Sequence, residues 1–235
     1  METNFKFTST KEVQNYGINI VVYGQSGVGK TSLAKTIDNA IIVNFEDGLL
    51  SLQGTDIAVF TPKSIDELNS FLNYCESDSF PYTTLFLDSI TSLAEFFLSI
   101  EKNQHKDMRQ AYLLMQEYIY AVIKHLVSIK KLNVVLITQE AKIMDELNGK
   151  VLKGLSFPGR NLGSKVPYLV DCVLHLKNDV TRDPKTQEIV KSVYFVTCPT
   201  SDEEGKDRTG KLDMFELPDL TNLFNKIRNV PSTNK

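Results

Sequence analysis

Gly24-Gln25-Ser26-Gly27-Val28-Gly29-Lys30-Thr31 fits the pattern G-x-x-x-x-G-K-[ST] at every fixed position. An apolar run, residues 18–23, precedes it, and a helix-compatible stretch, residues 30–37, follows. That order of strand, glycine-rich loop and helix is the context a phosphate-binding loop requires. The glycines let the backbone wrap until its N–H groups face a phosphate, helped by the start of the following helix. Lys30 then reaches the terminal phosphates of a nucleoside triphosphate, and the Thr31 hydroxyl joins a Mg²⁺ shell. With Ser32 added, residues 24–32 are the candidate nucleotide-binding residues, and ATP with Mg²⁺ is the expected pair of ligands.

Outward from this loop, short apolar runs alternate with helical patterns, the signature of β-α-β units on a mostly parallel sheet. Strands are expected at 18–23, 41–45, 57–60, 84–87 and 132–137. Ser64 with Glu67 three residues on has the spacing of a helix capping box. A long helical region carries Tyr112, Met115, Ile119, Ile123 and Leu126 on one stripe, with a break near Lys106. Beyond residue 139 the pattern changes. Asn148-Gly149 reads as a hairpin turn, and a second turn at 183–186 separates strand-like runs 172–180 and 189–197. A short amphipathic helix, 220–228, ends the pattern. The expectation is one α/β domain over residues 17–230 after an N-terminal extension, 1–16, with helices flanking the sheet and antiparallel additions at the C-terminal side.

Composition sets outer bounds. Of 235 residues, 42% are hydrophobic and 23% charged, which suffices for a packed core. No run of 18 apolar residues and no cleavable leader pattern is present, so a cytoplasmic protein without membrane contact is expected. Cys75, Cys172 and Cys198 are far apart in sequence and read as free thiols. A net charge of −3 does not advertise nucleic-acid binding, so any such surface must be local.

Three further strand ends carry chemistry. Asp88 closes the run 84–87, where a second magnesium anchor belongs. Glu46 closes 41–45 and can activate water for hydrolysis, with Asp47 as its rival. Gln139 closes 132–137, either as a sensor of the terminal phosphate or as a satisfied strand-end amide. Two strand candidates lie between Lys30 and Asp88. A strand set between the phosphate-loop strand and the Asp88 strand marks the class that includes RecA and AAA proteins.

This order of features resembles the core of RecA-type recombinases, and most closely the compact RecA-core ATPases of bacteriophages. The resemblance covers roughly residues 17–217. It implies a RecA-like P-loop NTPase that hydrolyses ATP while handling single-stranded DNA in annealing or recombination, within a bacterial host's cytoplasm. It further implies a homo-oligomer, often working beside a single-strand-binding protein. By the same resemblance Glu46 is the water-activating glutamate and Gln139 the nucleotide-sensing glutamine. The following segment is the DNA-contacting loop, with Lys142, Lys150, Lys153, Arg160 and Lys165 along the backbone and Phe157 as an apolar tip; a solvated hairpin is the alternative. Lys206 and Arg208 match paired cations that reach a neighbouring subunit's nucleotide, or else form an ordinary loop ion pair. Phe5 and Phe7 can form a strand on a neighbour or on the chain's own sheet. The short N-terminus and the lack of a second DNA-binding domain favour annealing over strand exchange. Two other readings stay open: a nucleotide-dependent regulatory or assembly ATPase without DNA contact, and a small-molecule or nucleoside kinase.

Overall fold

The computed structural model describes residues 9–46, 48–104, 107–144, 149, 151–159, 161–182 and 188–229. Asp47, Lys106, Lys150 and Arg160 lie outside these residues, as do Phe5, Phe7, Asn148 and the predicted turn at 183–186.

Strands β1 (Asn19–Gly24), β2 (Ala40–Asn44), β3 (Ala58–Phe60), β4 (Thr84–Asp88), β5 (Asn133–Met144), β7 (Cys172–Arg182), β8 (Ile189–Val196) and β10 (Phe215–Glu216) form the main path of one sheet. Their spatial order is β10-β8-β7-β1-β5-β4-β2-β3. The six from β7 to β3 run parallel, while β8 and β10 are antiparallel. Strand β6 (Val151–Leu155) pairs antiparallel with the far half of β5, and β9 (Lys206–Asp207) with the start of β7. This is the expected α/β architecture, a mostly parallel sheet flanked by helices with antiparallel additions.

A parallel sheet is covered on both faces, so its strands are apolar throughout and alternate residues feed two cores. Val21, Leu85, Leu87, Val134 and Leu136 pack under α1 (Ile65–Glu76), α2 (Ile90–Gln104), α3 (Met108–Ser128) and α4 (Asn161–Leu169). Ile20, Ile42, Phe86, Val135 and Leu174 pack under the short helical turn Thr31–Thr36 and α5 (Leu220–Ile227). The stripe predicted on α3 is the buried one, with Met115, Ile119, Ile123 and Leu126 inside. The Ser64 cap also forms, its Oγ accepting from Glu67 N–H at 3.2 Å. Glu67 reaches back to Lys63 N–H at 2.7 Å. Ser64→Ala is expected to cost about 1 kcal/mol, read as a lower urea midpoint at unchanged slope.

Three expectations are corrected. The strand between β1 and β4 is β5, which comes later in the chain; β2 and β3 lie outside β4. The reason is burial: residues 133–138 are all buried and need partners on both edges, whereas β3 is short and half-exposed, as an edge strand should be. The helix after the phosphate loop is a six-residue 3₁₀ turn, Thr31–Thr36, so backbone N–H groups and not a long helix dipole serve the phosphate site. Finally, residues 161–169 form helix α4, with Leu162 and Val166 in the core. Gly163 and Pro167 conceal it in sequence, because both are poor helix residues.

Candidate nucleotide site

The phosphate loop leaves the sheet at Gly24, which lies beside Gln139 of β5. A side chain at Gly24 would meet the Leu176 carbonyl at 2.4 Å, so only glycine allows β1 to turn here. Gly27 and Gly29 take φ of 75° and 107°, the left-handed region that L side chains avoid. Val28 is buried at the root of the loop and pins it to the core. The other loop residues from Gly24 to Ser32 line a cavity of about 560 Å³, together with Glu46, Asp88, Gln139 and Glu140.

Within the cavity Lys30 Nζ donates to the carbonyls of Gly24 and Gln25 at 2.7 and 2.9 Å. Burial lowers the pKa of this ammonium, and the charges of Asp88, Glu46 and Glu140 work against that shift. Thr31 Oγ1 donates to Asp88 Oδ2 at 2.6 Å. Burial pushes the Asp88 carboxyl upward, aided by Glu46, while the Thr31 hydrogen bond and Lys30 oppose the shift. Asp88 ends β4 and Thr31 follows Lys30, so a hydroxyl and a carboxylate meet beside the loop. That oxygen donor set fits Mg²⁺, which is usually held by one or two protein oxygens plus substrate phosphates and water.

Glu46 lines the same cavity. Its Oε1 accepts hydrogen bonds from Ser89 Oγ and, at 2.7 Å, from Ser92 Oγ. The two serines, three residues apart at the start of α2, fix the carboxylate while its second oxygen takes no part in these bonds. Sequence reasoning missed both, although serines directly after a strand-end aspartate are a readable signal. Gln139 is exposed at the cavity wall; its carbonyl accepts from Ser156 N–H at 3.0 Å, and its N–H donates to Thr91 Oγ1 at 3.3 Å. The base of the β5–β6 hairpin is thereby tied to α2.

The remaining candidates lie elsewhere. Lys142 and Lys153 stand directly opposite one another on β5 and β6. Lys142 is exposed, and Lys153 is half-buried 3.9 Å from Glu203. Lys165 is exposed on α4. Phe157 is no free tip: it is half-buried and packs against the core cluster on the face of the sheet that α1 to α4 cover. The exposed apolar residues of the hairpin are Ile143, Met144 and Val151. Lys206 and Arg208 do not reach this cavity. They sit where β9 meets Cys172–Val173, at the sheet end away from the phosphate loop. Lys206 Nζ donates to the Pro167 and Val170 carbonyls at 2.6 and 2.7 Å, capping the end of α4. Arg208 pairs with Asp171 at 3.1 Å and donates to the Tyr168 carbonyl, its side chain 51% exposed. No helix among the described residues is long and apolar enough to cross a membrane.

Among solved structures, a KaiC-like protein from the hyperthermophilic archaeon Pyrococcus horikoshii OT3 is similar over 77% of this chain and 78% of its own, at 15% identity and a TM-score of 0.35. No curated protein matches. Residues 16–209 match the AAA domain family AAA_24. That span takes in the sheet from β1 to β9 and every residue that lines the cavity, and the chain accordingly belongs to the AAA domain family of P-loop ATPases.

Proposed function

We propose that this protein is a Mg²⁺-dependent, homo-oligomeric ATPase that binds single-stranded DNA and acts in strand annealing or recombination. The observation that carries the reading is a continuous strand: β5 lines the nucleotide cavity at Gln139 and runs on into a hairpin bearing Lys142 and Lys153. Lys30 exchanges its two carbonyl partners for phosphate oxygens. Glu46, oriented by Ser89 and Ser92, aligns the attacking water and accepts its proton. A Mg²⁺ ion held by Thr31 and Asp88 would neutralise phosphate charge. Hydrolysis resets the hairpin and leaves the DNA chemically unchanged.

Steady-state ATP hydrolysis with and without single strands tests this reading. Stimulation by single strands and little by duplex supports it; turnover indifferent to DNA favours a regulatory ATPase, a reading consistent with the engagement of Lys153 by Glu203. The hairpin contribution is read from salt dependence. Each phosphate contact on a single strand adds about 0.7 to the slope of log K against log salt. Lys142→Gln with Lys165→Gln is expected to lower that slope by about 1.4, measured by fluorescence anisotropy. An unchanged slope would place the DNA contacts on another surface.

Arg208 is half-exposed at the sheet end away from its own cavity, so a nucleotide it touches belongs to a neighbouring subunit. Inactive Arg208→Ala and Glu46→Gln subunits are then expected to regain turnover when mixed, since mixed interfaces contain one intact site. Absence of rescue at every ratio would confine Arg208 to its ion pair with Asp171. Annealing itself is tested by pairing of complementary labelled strands, with and without a single-strand-binding protein.

A further inference from the structure

Behind the Gly24–Gln25 wall of the cavity lies a buried line of acid, imidazole and acid that hydrolysis does not use. His175 of β7 sits in register with Tyr23 of β1, the residue before the phosphate loop, and their rings stack at 4.3 Å. Nε2 of His175 lies 2.8 Å from Oε2 of Glu140, which lines the cavity next to Gln139. Nδ1 lies 3.3 Å from Oε2 of Glu203. The three side chains are 2%, 7% and 5% exposed. Buried carboxylates are costly unless partnered, and a ring with an N–H on both edges, the doubly protonated form, can serve one on each side.

The far carboxylate belongs to the hairpin's support. Glu203 Oε1 pairs with Lys177 Nζ at 2.5 Å and lies 3.9 Å from Lys153 Nζ of β6. Lys153 also bonds the same segment through its backbone, its N–H to the Asp202 carbonyl at 2.8 Å and its carbonyl to Glu204 N–H at 2.9 Å. Tyr23 Oη closes the circuit by donating to the Glu204 carbonyl at 2.6 Å. One joint is slack: Nδ1 is close to Glu203 but off the hydrogen-bond line, which leaves a buried nitrogen without a bond. Such a nitrogen is costly, so when it carries a proton a small ring rotation that aligns the Nδ1–H with Glu203 has a favourable end point.

We propose that His175 is a positioning residue that couples nucleotide occupancy to the β5–β6 hairpin, moving with Glu140 on the cavity side and engaging Glu203 on the hairpin side. This rests on the ATPase reading of the cavity and is independent of the DNA reading. Hydrogen exchange on the full chain, alone and with Mg²⁺ and either ADP or a non-hydrolysable ATP analogue, tests it. In the unsubstituted protein, protection of amides 140–144 and 151–155 is expected to differ between the two nucleotides. In His175→Gln one amide N–H can still serve Glu140, but the shorter side chain no longer links Glu140 to Glu203, which keeps its lysine partners. Nucleotide Kd is then expected to stay within about threefold, below the usual 5–150-fold range of allosteric coupling, while the hairpin response disappears.

A response that persists in His175→Gln overturns the proposal, as does a loss of nucleotide affinity together with thermal stability, which marks a structural role. If that variant does not fold, Glu203→Gln decides in the same way. A hairpin indifferent to nucleotide in the unsubstituted protein overturns the proposal outright. Because DNA is absent throughout, failure to bind single strands defeats the earlier reading and leaves this one standing.

Discussion

Lys30→Ala is expected to abolish ATP binding and turnover together while leaving the fold intact. The ammonium is the one cation lining the cavity among the described residues, and it faces three carboxylates, Asp88, Glu46 and Glu140. Without it, a polyanionic triphosphate enters a cavity whose remaining charges repel it. Loss of a single preorganised donor to developing charge typically costs on the order of 10²–10³ in rate. Loss of a full charge in this setting is expected to reach at least that size. The fold should tolerate the change, because the hydrogen bonds of Lys30 Nζ among the described residues go to two loop carbonyls, and the root of the loop is held separately by buried Val28. Equilibrium titration with a fluorescent ATP analogue, paired with a thermal melt, checks both halves. Tight binding and full turnover in this variant would remove the phosphate-loop assignment.

Glu46→Gln is expected to separate what Lys30→Ala removes jointly. The amide oxygen can still accept from Ser89 and Ser92, so the side chain stays in place and nucleotide affinity is preserved. An amide cannot take a proton from water, and loss of a general base lowers turnover by about 10²–10⁴. Single-turnover hydrolysis beside equilibrium binding resolves the two effects. Unchanged turnover would exclude Glu46 from the mechanism and leave Asp47, its neighbour in sequence, as the next residue to substitute.

Features that depend on local chemistry were legible in the sequence. The glycines of the phosphate loop, the apolar strands and the Ser64–Glu67 cap each follow from residues a few positions apart, and each stands where it was expected. Glu46, Asp88 and Gln139 were legible for a related reason: parallel strands deliver their C-terminal ends to one edge of the sheet. What escaped depends on contacts between distant segments. Glu203 reads as one acid in an acidic loop, yet it is buried against His175 and Lys177. Lys206 reads as one of two cations reaching a neighbour's nucleotide or paired within its own loop, yet its ammonium closes the end of α4, about forty residues earlier in the chain. Phe157 reads as an apolar tip, because nothing near it in sequence announces the core cluster against which it packs.

The position of β5 also governs how the protein can be made. Ribosomes deliver β1 and β4 well before the strand that joins them, and all three pair through mostly buried, mostly apolar residues. Until residues 133–138 emerge, β1 and β4 present unpaired inner edges. At 5–20 residues per second, the interval between Asp88 and Thr138 lasts about 3–10 s. Open apolar edges are the surfaces through which nascent chains associate wrongly. Truncation before residue 133 should therefore yield insoluble protein, and slow codons placed between α2 and β5 should reduce soluble yield more than the same codons placed after β8.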